Sequence, residues 1–182
     1  MPILTNKLDP NGRAIATVFV SVSEARSVQL VKEKKMPPPP LQLKALIDTG
    51  STGMAIDSKY ISSLKLPPRG FYTARKGDGS PSYHALYEAG LRILMNPGES
   101  DLFITEIQCA ARTHLVAEHD VDVLIGQDVL SLLHFSQASG SFTLEYKLPP
   151  SIAAIAATPS KELVLEPPSP NEIARSQVGE SK

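Results

Sequence analysis

The apolar residues of this chain arrive in short β-branched runs, and a turn signal cuts each run off before it could become a long helix. Residues 13–22 (Arg-Ala-Ile-Ala-Thr-Val-Phe-Val-Ser-Val) follow an Asp9-Pro10-Asn11-Gly12 turn and read as a strand. Residues 23–35 are rich in charge and lead to four prolines, Pro37 to Pro40. That stretch reads as an exposed loop or polyproline II segment, because proline cannot donate to a ladder. Strand character returns over 41–47, and 57–66 suit a short helix with Asp57 as N-cap and Pro67-Pro68 closing it. Residues 71–94 form two mixed arms around the turn-rich Gly77-Asp78-Gly79-Ser80-Pro81, the pattern of a long hairpin. Strands are expected over 102–111, 121–125 and 141–146, with one or two helical turns over 127–134. The pattern is all-β or β-rich, a barrel with one or two short helices.

Three regions follow. Residues 1–12 are an N-terminal segment, 13–147 carry the domain, and 148–182 form a Pro/Ala-rich tail, expected to be flexible and without a core of its own. A single cysteine, Cys109, excludes an internal disulfide framework, so packing or association must hold the fold. A net charge of −1 gives no electrostatic reason to expect nucleic acid or an anionic membrane as partner. Only Ile3 and Leu4 precede the polar Thr5-Asn6-Lys7, which lacks the apolar core of a signal peptide. No apolar run approaches the ~20 residues of a membrane span. A cytoplasmic location without membrane association is the expectation.

The chemistry concentrates at Leu46-Ile47-Asp48-Thr49-Gly50-Ser51. An apolar strand delivers a carboxylate to a place where desolvation makes ionisation costly. Glycine then lets the chain turn so that its N–H can point back at the acid, and Thr49 and Ser51 offer hydroxyls to hold the loop. An Asp-Gly-type turn that simply closes a strand would carry the same triplet. Further on, Val123-Leu124-Ile125-Gly126-Gln127-Asp128-Val129-Leu130 is an apolar run ending in glycine. By itself it suits a plain core strand and turn.

Together, in this order and with a hairpin between them, the two motifs resemble the retropepsin family, the retroviral-type aspartic proteases and their cellular relatives. The similarity extends over residues 13–146. It implies a closed barrel of the acid-protease half-fold with a flap hairpin. Asp48 then matches the catalytic aspartate, and Thr49 the threonine that interlocks with the partner loop across a two-fold axis. Gly50 matches the glycine whose amide supports the acid. Ser51 stands where its hydroxyl could reach the outer carboxylate oxygen, and Leu124, Ile125 and Gly126 match the strand that backs the active-site loop. Gly77, Asp78, Gly79 and Ser80 would form the flap tip over the substrate, or else the tip of an ordinary surface hairpin. One Asp-Thr-Gly per chain implies a homodimer, since the chemistry needs two carboxylates sharing a proton. The implied activity is an aspartic endopeptidase that hydrolyses peptide bonds with water activated by two symmetry-related Asp48 carboxylates, with no cofactor and no metal. A non-catalytic dimeric peptide-binding or scaffolding module on the same fold is the alternative.

Two positions depart from the viral pattern. Thr52 and Gln127 stand where those enzymes pair an Asp with an Arg, so a Thr–Gln hydrogen bond is possible here but that ion pair is not. The remaining acids, Asp57, Asp78, Asp120, Asp122 and Asp128, suit turns, caps or surface. His84, His114, His119 and His134 lack zinc-ligand spacing. Cys109 suits a small buried hydrophobe.

Overall fold

Alternation of buried and exposed positions shapes the strands from the start. In β2 (Ile15–Ser21) the side chains of Ala16, Val18 and Val20 point inward, and in β3 (Leu41–Ile47) those of Leu43, Ala45 and Ile47 do. A computed structural model describes residues 2–75, 80–113 and 115–147. Before β2 comes β1 (Ile3–Lys7). Between β2 and β3 lies α1 (Glu24–Lys32). The chain continues through β4 (Met54–Asp57), α2 (Lys59–Leu64), β5 (Pro68–Arg75), β6 (Pro81–Ile93), β7 (Leu102–Arg112) and α3 (Leu115–His119). The last elements among the described residues are β8 (Val123–Ile125), α4 (Gln127–Leu130), β9 (Leu133–Ala138) and β10 (Ser141–Tyr146).

Seven strands form one sheet in the order β2-β3-β8-β4-β7-β6-β5, and an additional β2–β6 pairing closes six of them into a barrel. The all-β closed barrel expected from the sequence is what the chain forms. β5 stands outside the closure, paired to β6 alone as the second arm of a hairpin. β8 is the short central strand, parallel to β3 on one side and antiparallel to β4 on the other. A second, three-stranded antiparallel sheet has the order β1-β10-β9.

The main core includes Val18, Ala45, Ile56, Ile93, Cys109, Val123 and Ile125, with Phe142 and Leu144 of β10 joining it. A smaller cluster lies on the opposite face of the same strands, around Ala55, Ala110, Leu115, Val121 and Leu124, with Ile15, Leu46, Tyr72 and Leu86 packed against it.

Several expectations are corrected. Residues 23–35 are not a loop: α1 occupies most of them. Ser23 caps it by accepting from the Arg26 N–H at 3.2 Å, Glu24 and Lys32 sit at the ends that suit their charges, and Leu30 anchors it. The helix expected over 57–66 is shorter, because Asp57 is the last residue of β4. Asp57 Oδ1 still accepts from the Lys59 N–H at 3.1 Å. Lys65, left-handed at φ 50°, ends α2, and Pro68 begins β5 instead of merely closing the helix. Of 127–134 only the first four residues are helical, and from Leu133 the chain turns into β9. The N-terminal segment contributes β1, whose register with β10 runs from Ile3↔Glu145 to Lys7↔Ser141. Gly77, Asp78, Gly79, His114 and the 148–182 tail lie outside the described residues.

Candidate active site

β3 delivers Asp48 to the mouth of the barrel. The Asp48 N–H donates to Ile125 O at 2.9 Å, extending the parallel β3–β8 ladder by one rung, and the Ser51 N–H donates to Asp48 O at 3.2 Å to close the turn. Within that turn the Gly50 N–H donates to Asp48 Oδ1 at 2.9 Å. Asp48 is half-buried, while Thr49 and Gly50 are exposed. Ser51 does not reach the carboxylate. Its hydroxyl donates to Gly53 O at 2.9 Å instead, stiffening the exit of the loop.

The loop is buttressed from α4. The Gln127 N–H donates to Ser51 O at 2.9 Å, its side-chain Nε2 donates to Thr49 O at 2.8 Å, and the Asp128 N–H donates to Thr52 O at 3.2 Å. Gln127 therefore bonds the backbone of the Asp-Thr-Gly turn itself, and the Thr52 side chain is not its partner. Asp128 completes the brace, because Oδ2 accepts from the Met54 N–H at 2.8 Å. Burial holds the Asp128 carboxyl above its ordinary pKa, against the opposing pull of the Met54 and Val129 amides. Gly126 makes the close approach possible. A Cβ there would stand 2.6 Å from Gly53 O and 2.7 Å from Gly53 C and N.

Beside the loop, the second apolar cluster forms a continuous row across the strands. Leu46 is the register partner of Leu124, Leu124 of Ala55, Ala55 of Ala110, and Ala110 of Leu86. These residues share one face of the sheet, and Asp48 lies two positions beyond Leu46 on that face. Ile125, one residue from Leu124, pairs with Ile47 on the core side. At Leu86↔Ala110 the β6–β7 pairing ends, and β6 continues with β5 alone as a hairpin that carries Tyr72 stacked on His84 at 5.2 Å between centroids. Ser80, just before β6, is the described residue nearest the hairpin tip.

The other acids are committed elsewhere. Asp57 accepts from the Lys59 and Val116 amides, and Asp120 pairs with Lys44 Nζ at 2.7 Å. Asp122 takes the Tyr60 hydroxyl and the Lys44 N–H. Asp48 is thus the acid that stands on the open loop. Cys109 is fully buried, and burial pushes its thiol up to about 12, too high to form a nucleophilic thiolate at neutral pH. Among the described residues no group of three or more His, Cys, Asp or Glu side chains could hold a metal ion, and no helix is long and apolar enough to cross a membrane.

The α4 brace is the part that sequence reasoning missed. Asp128 looks like a turn or surface residue in the sequence, and only its position one residue past Gln127 could have hinted that it reaches the same loop.

No family model matches the chain, and no curated protein matches it. Among solved structures, the chain is similar to the crystal structure of a retropepsin-like aspartic protease from Rickettsia conorii, at 16% identity over 79% of this chain and 90% of that one, with a TM-score of 0.48.

Proposed function

We propose that this chain is an aspartic endopeptidase that acts as a homodimer, each protomer supplying one Asp48. The observation that carries the reading is the Asp48 loop. An acid at the end of a core strand receives the Gly50 amide on one carboxylate oxygen, and the loop behind it is tied down by Gln127 and Asp128. Such bracing suits a carboxylate whose position matters more than its solvation.

A lone carboxylate cannot carry out the reaction. Two Asp48 side chains brought together by a two-fold axis would share one proton, because like charges about 3 Å apart cannot both ionise. The ionised member takes a proton from water as the water oxygen bonds to the peptide carbonyl carbon. The protonated member donates to the carbonyl oxygen, and the leaving nitrogen recovers a proton as the C–N bond breaks. Thr49, exposed beside Asp48, would face its counterpart across the axis. The apolar row from Leu46 to Leu86 would take apolar side chains flanking the cleaved bond, and the β5–β6 hairpin would cover them as a flap.

The test is cleavage of a mixed peptide library by wild type and Asp48→Asn, from mildly acidic to neutral pH. Asparagine keeps the shape and removes the titrating acid. Cleavage by wild type is expected to fall at least a thousandfold in the variant while its dimer persists. Equal cleavage by both proteins would sink the assignment, and folded dimers that bind peptides without cutting them would favour a binding module.

A further inference from the structure

Between α1 and β3, residues 33–40 form neither helix nor strand, and they include the run Lys34-Lys35-Met36-Pro37-Pro38-Pro39-Pro40. Lys34, left-handed at φ 56°, turns the chain out of α1. Its N–H donates to Val31 O at 2.9 Å, and the Lys35 N–H donates to Leu30 O at 2.8 Å. Each residue from Met36 to Pro39 then precedes a proline, which disfavours the helical region, and each ring holds φ near about −65°. Polyproline II is the conformation left to them, an extended helix of about three residues per turn with no hydrogen bonds of its own. The far end is fixed by Leu41, which opens β3 opposite Val20 of β2.

A period of about three sorts these side chains onto three edges. Pro37 and Pro40 share one, with Lys34 at its head, and Met36 and Pro39 share the next. The third is turned to the domain at Pro38, which is half-buried and lines a groove with Leu30 of α1 and Lys65 at the end of α2. The other two stand open. Met36 borders that groove yet is 92% exposed, Pro39 and Pro40 are exposed, and Pro37 is half-buried. The domain thus leaves an apolar ridge uncovered. Lys34 beside it is exposed and forms no ion pair with any described residue, whereas Lys35 is held by Glu33 at 2.8 Å.

We propose that residues 34–40 are a docking ligand for a partner protein whose groove is lined by aromatic side chains and rimmed by carboxylates. Slots between such rings take the pairs Met36-Pro37 and Pro39-Pro40, and the acidic rim takes the free ammonium of Lys34. Both ends of the segment are pinned and its prolines are already stiff, so little freedom is lost on binding. This goes beyond the endopeptidase reading and does not rest on it. The length of β3 separates Pro40 from Asp48, roughly 25 Å at ~3.3 Å per residue, so a partner seated on the ridge leaves the Asp48 loop open.

The experiment titrates the full chain into a panel of purified SH3 domains with aromatic grooves and acidic rims, followed by calorimetry. Saturable binding to at least one domain below about 1 mM is expected. Pro37→Ala combined with Pro40→Ala should weaken it at least about tenfold, and Lys34→Glu by a similar factor. Pro38→Ala, on the edge turned to the domain, should change it less than about twofold. Thermal scans check that each variant is folded, and if the double variant is not, Lys34→Glu and Pro38→Ala decide. The proposal is overturned if no domain binds wild type, if the double variant binds as well, or if Pro38→Ala loses as much. Sedimentation with vesicles of phosphatidylcholine and phosphatidylserine supplies the rival outcome. Wild type and the double variant binding those vesicles alike, with no domain bound, would make Met36 and the lysines a membrane contact and end the proposal.

Discussion

A methyl group added at Gly126 has nowhere to go. The nearest atoms are the Gly53 backbone, at 2.6 to 2.7 Å, and backbone cannot swing aside as a side chain would. Either α4 or the Asp48 loop must then move, and both are bonded to each other through Gln127 and Asp128. Gly126→Ala is expected to lose about 2–3 kcal/mol of stability, the usual cost of overpacking a tight site, in urea denaturation. Peptide cleavage should fall by a larger factor than that of an equally destabilised variant remote from the loop. The residues of the Asp-Thr-Gly turn were legible in the sequence because glycine and the acid sit in a recognisable order. The brace was not, since the Gln127 and Asp128 amides and side chains all bond backbone groups of residues 49–54, a segment that only the fold brings beside them.

Among the elements, α1 shows most plainly what the local sequence hid. The charged run before Pro37 reads as solvated loop, yet Ser23 does two jobs that only the fold reveals. It accepts from the Arg26 N–H, and it donates to Glu88, a nearly fully buried carboxylate on β6 that also pairs with Arg69 of β5. Ser23→Ala is therefore expected to cost about 2 kcal/mol, a lost cap plus a buried carboxylate deprived of one donor. A thermal scan would register it, and Ser23→Thr, which keeps the hydroxyl, should recover most of the loss. By contrast β3 and β10 are readable to the residue, because strict alternation needs no distant information. β4 defeats that rule: all four of its residues are buried, and its Asp57 resembles a helix cap. β1 defeats it too, having little apolar character beyond Ile3 and Leu4 and a pairing partner at the far end of the domain.

For the whole molecule, the barrel closes around its own core but presents one Asp48 loop per chain. If two loops must meet, activity depends on association, and specific activity should fall as the protein is diluted. Initial rates plotted against protein concentration are expected to curve upward from the origin and become linear once dimer dominates. A straight line throughout, from a protein that sediments as a monomer, would contradict the shared site.

The β1–β10 pairing also constrains how the chain is made. Ile3 finds Glu145 and Lys7 finds Ser141, so β1 must wait for β10, made more than a hundred residues later. Until then Leu4 has no β10 to cover it, and β1 offers a bare backbone edge to any neighbour. The closing of that sheet is a long-range, slow event that follows the synthesis of β10. A nascent chain that stalls before Ser141 would leave that edge open to a second copy's β10, a route to exchanged strands between molecules that finish translation side by side.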